Sequence, residues 1–177
     1  MLYDAHPVEI KGHPTVPLLD DNGNLIQMIT VCGHCGEMRS IIMDAMASQI
    51  EDEIGPLIEN LQVQGRLIPS PSPPSIDIYP GDPFQDLLTF GAQNELFFTV
   101  RARVHTADNE AGQELLLSMM DPESATSVAQ AIRSDRKLGN TVSQATVVEG
   151  PSAFGVFTDA GGEGSLLGCT WRVRVLM

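Results

Sequence analysis

Residues Ser165 to Met177 alternate strictly between two kinds of side chain. Leu167, Cys169, Trp171, Val173 and Val175 fall on one side, and Thr170, Arg172 and Arg174 on the other. Period two, with β-branched and aromatic residues sharing a side, marks a strand with one buried face. Residues Asn94 to Thr106 repeat the pattern, with Leu96, Phe98, Val100, Ala102 and Val104 against Thr99, Arg101, Arg103 and His105. The two stretches read as strands of one antiparallel sheet, with Trp171 anchoring the buried side. Arg-x-Arg recurs on the outer side of both. Like charges directly opposite one another destabilise a sheet, so that side requires carboxylates, phosphates or water.

The rest of the chain is read as what covers this sheet. Residues 1–36 form an arm: Thr15-Val-Pro-Leu-Leu and Leu25-Ile-Gln-Met-Ile-Thr-Val31 flank Asp20-Asp-Asn-Gly-Asn24, a strong turn signal, which predicts a hairpin. From Glu37 the period changes. Met38, Ile41, Ile42, Ala45, Met46, Ile50, Ile54, Leu57, Ile58 and Leu61 step by three and four, which predicts a helix with a wide apolar stripe. Its other side carries Asp44, Glu51, Asp52, Glu53 and Glu59, and Gly55-Pro56 interrupts it. Pro69 to Pro74 reads as a stiff linker. Ser75 to Tyr79 reads as a strand, and Phe84 to Gln93 as a loop.

Two helices are expected after the strand at 94–106. Asp108 caps the first, with Ala111, Leu115, Leu116 and Met119 inward. Asp121 caps the second, with Pro122 at its first position, Ala125, Val128, Ala129 and Ile132 inward, and Gly139-Asn140 at its end. Thr141 to Glu149 is a third strand, and Gly150 to Gly164 a glycine-rich loop. The order is hairpin, helix, strand, strand, helix, helix, strand, glycine loop, strand. Such runs, without βαβ repeats, predict an α+β fold: a mostly antiparallel sheet packed against helices over 37–177, with the N-terminal hairpin arm appended.

Composition restricts function. A hydrophobic content of 42 % is that of a globular chain, and no apolar run reaches the roughly 18 residues that a membrane-spanning helix requires. The first residues do not read as a signal peptide, so a cytoplasmic setting is expected. Three cysteines, an odd number, argue against a disulfide framework. The formal charge of −13 repels duplex DNA and excludes a general DNA binder, while suiting a passage through which DNA slides.

Cys32-Gly-His-Cys35 is the sharpest motif. It follows an apolar run and precedes a helix, where a helix N-terminus stabilises a dithiol's first thiolate. However, Val31 stands where disulfide isomerases carry an aromatic residue, and too little chain precedes it for a leading βαβ unit. Zinc is a second use: Cys32, His34 and Cys35, with His6 or His13, supply four ligands, although no second pair stands at finger spacing. The plain reading is a turn with reduced thiols. No nucleophile with a base and no phosphate-binding glycine motif is present, so the residues point away from an enzyme and require no cofactor. Phe84, Leu87, Leu88 and Phe90, like Phe154 and Phe157, are either local mini-cores or assembly arms. The arginine side is either solvated, paired with carboxylates of the acidic helix or a neighbouring subunit, or in contact with phosphate.

Ser75-Ile-Asp-Ile-Tyr-Pro-Gly-Asp-Pro83, Phe98-Thr-Val-Arg-Ala-Arg-Val104, Gly112-Gln-Glu-Leu-Leu-Leu-Ser-Met-Met-Asp-Pro122 and Gly168-Cys-Thr-Trp-Arg-Val-Arg-Val175, in that order, resemble the tail terminator proteins of long-tailed, non-contractile phages, especially those infecting actinobacteria. The resemblance covers residues 37–177 and excludes the Cys-Gly-His-Cys arm. It implies an α+β fold and a homo-oligomeric ring, usually a hexamer, in the virion at the tail's neck, assembled in the host cytoplasm. That ring stops growth of the tail tube, contacts the tail tube protein and offers a docking surface to a head-side connector or stopper, while the genome passes through its lumen. The resemblance brings no catalytic residues. Alternatives from the residues remain: a head-side connector or stopper, a dithiol oxidoreductase, or a zinc protein. In a ring the interface is head to tail, which makes Arg101, Arg103, Arg172, Arg174, Phe84, Phe90, Phe154 and Phe157 the candidate interface residues. Charge reversal at Arg101 and Arg103 is then expected to stop ring formation without unfolding the monomer.

Overall fold

A helix, Cys35–Ile54 (α1), takes the first long apolar stripe. In a computed structural model, residues 15–19, 25–30, 35–81, 86–88, 94–105, 109–158 and 165–177 are described. Ile42, Met46, Ile50 and Ile54 recur every fourth residue along α1 and are fully buried, while Asp44 and Glu51 to Glu53 are exposed. The stripe is narrower than expected, because Ile41 and Leu57 face outward. Gly55-Pro56 ends the helix in a single 3-10 turn, Gly55–Leu57.

The chain forms two units, Met1–Met38 and Arg39–Met177. In the first, strands Thr15–Leu19 (β1) and Leu25–Thr30 (β2) pair antiparallel, from Thr15 opposite Thr30 to Leu19 opposite Leu25. The turn between them lies outside the described residues.

The second unit holds a six-stranded sheet. Its strands are Gln62–Gln64 (β3), Ser75–Pro80 (β4), Asp86–Leu88 (β5), Asn94–His105 (β6), Gln144–Thr158 (β7) and Ser165–Leu176 (β8). The order is β3-β4-β6-β8-β7, with β5 on the first residues of β6. Only β3–β4 is parallel. Helices Asn109–Met120 (α2) and Val128–Ser134 (α3) complete the unit. The fold is therefore α+β.

Alternation decides the two faces. Ile76, Ile78, Phe98, Val100, Ala102, Cys169, Trp171, Val173, Val175 and Ala145 point one way and are fully buried. Trp171 stands opposite Val100, in the middle of the sheet. The helices cover this face: α2 packs on β6 and β8, and α3 on β7. Gln49 of α1 donates from Nε2 to the carbonyls of Ala131 (2.6 Å) and Ile132 (3.2 Å), which satisfies acceptors that the end of α3 leaves open.

Four expectations are corrected. First, the second of the two late helices starts at Val128, capped by Ser127, whose Oγ accepts from Gln130 N. Asp121 instead accepts from Glu123 N in its own turn, Ala125 is exposed, and the helix stops at Ser134, before Gly139-Asn140. Second, the proline-rich linker does not lead straight from the helical region to the strand at 75–79, because a short strand precedes it. It belongs to the crossover from β3, a strand too short to show a period, to β4. Third, β5 occupies part of the expected loop at 84–93. Fourth, most of the expected glycine loop is strand. β7 continues to Thr158 through register shifts at Val147/Glu149, Glu149/Ser152 and Ser152/Gly155. Gly150 permits this: its φ is +119°, and a Cβ there would lie 2.9 Å from the Thr170 carbonyl oxygen.

Candidate assembly surface

The four arginines lie on the face away from the buried apolar residues, as alternation requires. The register staggers them: Arg101 stands opposite Thr170, Arg172 opposite Thr99, and Arg174 opposite Phe97. On the other side of β6, Asp77 of β4 stands opposite Arg101. Asp77 is fully buried and accepts four hydrogen bonds. Arg101 donates from Nε to Oδ1 at 3.0 Å and from Nη2 to Oδ2 at 2.6 Å. Arg103 Nη2 donates to Oδ2 at 3.2 Å, and Ile68 N to the same oxygen at 3.1 Å. Arg103 Nη2 also donates to the Ile68 carbonyl at 3.0 Å. One carboxylate thus joins two guanidiniums and fastens the β3–β4 crossover over the sheet, and its two-point grip on Arg101 is the stronger kind of ion pair.

This geometry corrects two expectations. The face is not solvated at Arg103, which is only 4 % exposed. The pairing carboxylate comes from the neighbouring strand, not from the acidic helix. Charge reversal at Arg103 would set a second carboxylate beside buried Asp77, so that substitution disturbs the fold itself.

Aromatic rings complete the face. The Arg101 guanidinium lies 5.3 Å from the Tyr79 ring centroid and 5.9 Å from that of Phe157. Phe157 also covers Gly168, where a Cβ would meet its ring at 3.0 Å. Phe157 is thereby a packing residue of this chain. The Arg172 guanidinium lies 4.6 Å above Phe97, and Arg174 reaches Glu95 at 4.0 Å. Beside them a cleft of about 440 Å³ is lined by Tyr79, Thr99, Glu149, Ser152, Thr170 and Arg172, among others. Ser152 lies 3.2 Å from the Thr170 hydroxyl and 3.3 Å from its carbonyl oxygen, which ties the bulged strand to β8. Neither partner is a base, so Ser152 is held as a structural hydroxyl.

No protein-family model and no curated protein sequence matches this chain.

Among the described residues no group of three or more His, Cys, Asp or Glu is placed to hold a metal. Cys32 and His34, Phe84 and Phe90 lie outside the described residues, as does the side chain of Cys35. Cys169 is buried beside the sheet's core, and desolvation pushes its thiol up to about 12.

The two ends of the sheet differ from its faces. β7 ends it on one side and β3 on the other. On β7, Val148, Phe154 and Val156 are 45, 51 and 65 % exposed. On the chain flanking β3, Leu57 and Leu67 are 55 and 53 % exposed. Of the candidate interface residues, Phe154 and Phe157 lie on β7, and Phe154 is the exposed one. Sequence reasoning missed Asp77, Val148, Val156, Leu57 and Leu67 as site residues. For Asp77 a signal existed: with Ile76 and Ile78 inward, alternation puts it on the arginine side.

Proposed function

We propose that this chain is a structural virion protein that forms a ring at the head-proximal end of a phage tail tube, ends tube polymerisation and offers the surface on which the head docks. One observation carries the reading: the subunit exposes large apolar side chains at both ends of its sheet. Exposed large apolar side chains at a sheet edge are candidates for protein association, and Ile41 on α1 and Leu117 on α2 are exposed as well. The described polar side chains of the arginine face bind one another and the main chain, with no base set against a nucleophile, which favours an assembly role over a catalytic one.

The resemblance to tail terminators supports the ring. Its phrases fall in β4, β6, α2 and β8, three strands of the sheet and a helix packed on it. The partners are further copies of the chain, the tail tube protein and a head-side connector or stopper. A charge of −13 suits a subunit past which DNA moves without adhering. No described helix is long and apolar enough to cross a membrane. The location that follows is the tail neck of the virion, reached by assembly in the host cytoplasm.

The test is electron microscopy of lysates from a phage with an early stop codon in this gene. Abnormally long tubes beside filled, tailless heads are expected. Tails of normal length, unattached to heads, would move the protein to the head side of the neck. Complete, normal particles would refute a virion role and direct attention to Cys32 and Cys35.

A further inference from the structure

We draw no further inference here: the strongest candidate, the cleft of about 440 Å³ on the arginine face, is lined by both Glu149 and Arg172 beside Thr99, Ser152 and Thr170, and nothing in the structure shows what occupies it.

Discussion

Replacing Asp77 by alanine tests the central structural argument. The side chain is fully buried and accepts from Ile68 N, from two nitrogens of Arg101 and from Arg103. Removal leaves the Arg103 and Arg101 side chains, 5 and 16 % exposed, without that carboxylate. Breaking a buried pair by removing one partner costs about 3–5 kcal/mol, because a desolvated charge remains. That is about a fifth or more of the stability of an ordinary domain. With a urea dependence of about 2 kcal/mol per molar, the unfolding midpoint should fall by about 2 M. The assay is urea titration followed by the emission of Trp171, the chain's single tryptophan and a fully buried one. Arg66→Ala is the control. It removes an exposed pair at 3.9 Å and should change stability by no more than about 0.5 kcal/mol. Raising salt should weaken neither the Asp77 cluster nor the difference between the two variants, since screening acts mainly on exposed charges. An Asp77→Ala midpoint within about 0.5 M of wild type would refute the account.

Three further outcomes are expected. Cys169 should resist thiol reagents at pH 8 in the native protein and react in urea, as mapped by mass spectrometry; moreover, its thiol ionises near 9.0 when unfolded and near 12 when folded, so the unfolded state binds fewer protons between these values and stability should fall as pH rises above about 9. Gly150→Ala should destabilise by about 1–3 kcal/mol in the same urea assay, because φ is +119° and the new Cβ would lie 2.9 Å from both the Thr170 carbonyl oxygen and the Trp171 Cα. Ser127→Ala should cost about 1 kcal/mol by thermal unfolding through loss of the α3 cap.

The central strands were legible because their two sides face unlike surroundings. β6 and β8 keep strict period two, and from Phe98 and Leu167 onward the side chains that alternation turns inward are buried; Thr99, Arg103 and Leu166 on the other side are buried too, which the pattern does not foretell. The same rule fails on β7 for a physical reason. Each register shift exchanges inward and outward positions, and glycine, required at 150 by the backbone, imitates a loop. The capping error came from two residues of equally suitable chemistry. Asp121 satisfies Glu123 N in a local turn, while Ser127 accepts from Ala131 N through its carbonyl and from Gln130 N through its hydroxyl. The arginine pattern was visible in the chain, but its partner depends on which strand lies alongside β6, and that is a property of the whole sheet. The apolar ends stayed hidden for a related cause: Leu57 looks like one more member of a helical stripe until the chain turns at Pro56. Whether an apolar residue lies at the end of a sheet is settled only when every strand has its neighbours.

The place of β8 also governs how the chain acquires its shape. It lies between β6 and β7 yet follows both in sequence, with residue 176 opposite both residue 95 and residue 144. During vectorial synthesis β6 and β7 therefore emerge before the strand that joins them. In that interval β6 presents an unpaired edge bearing Phe98 and Val100, the kind of surface on which nascent chains aggregate. Long-range pairings of this sort also slow folding, since a large loop must close before its contacts form. The nascent subunit thus passes through a period in which its own central strand competes with other chains for the same edge, and the arrival of residues 165–176 closes it.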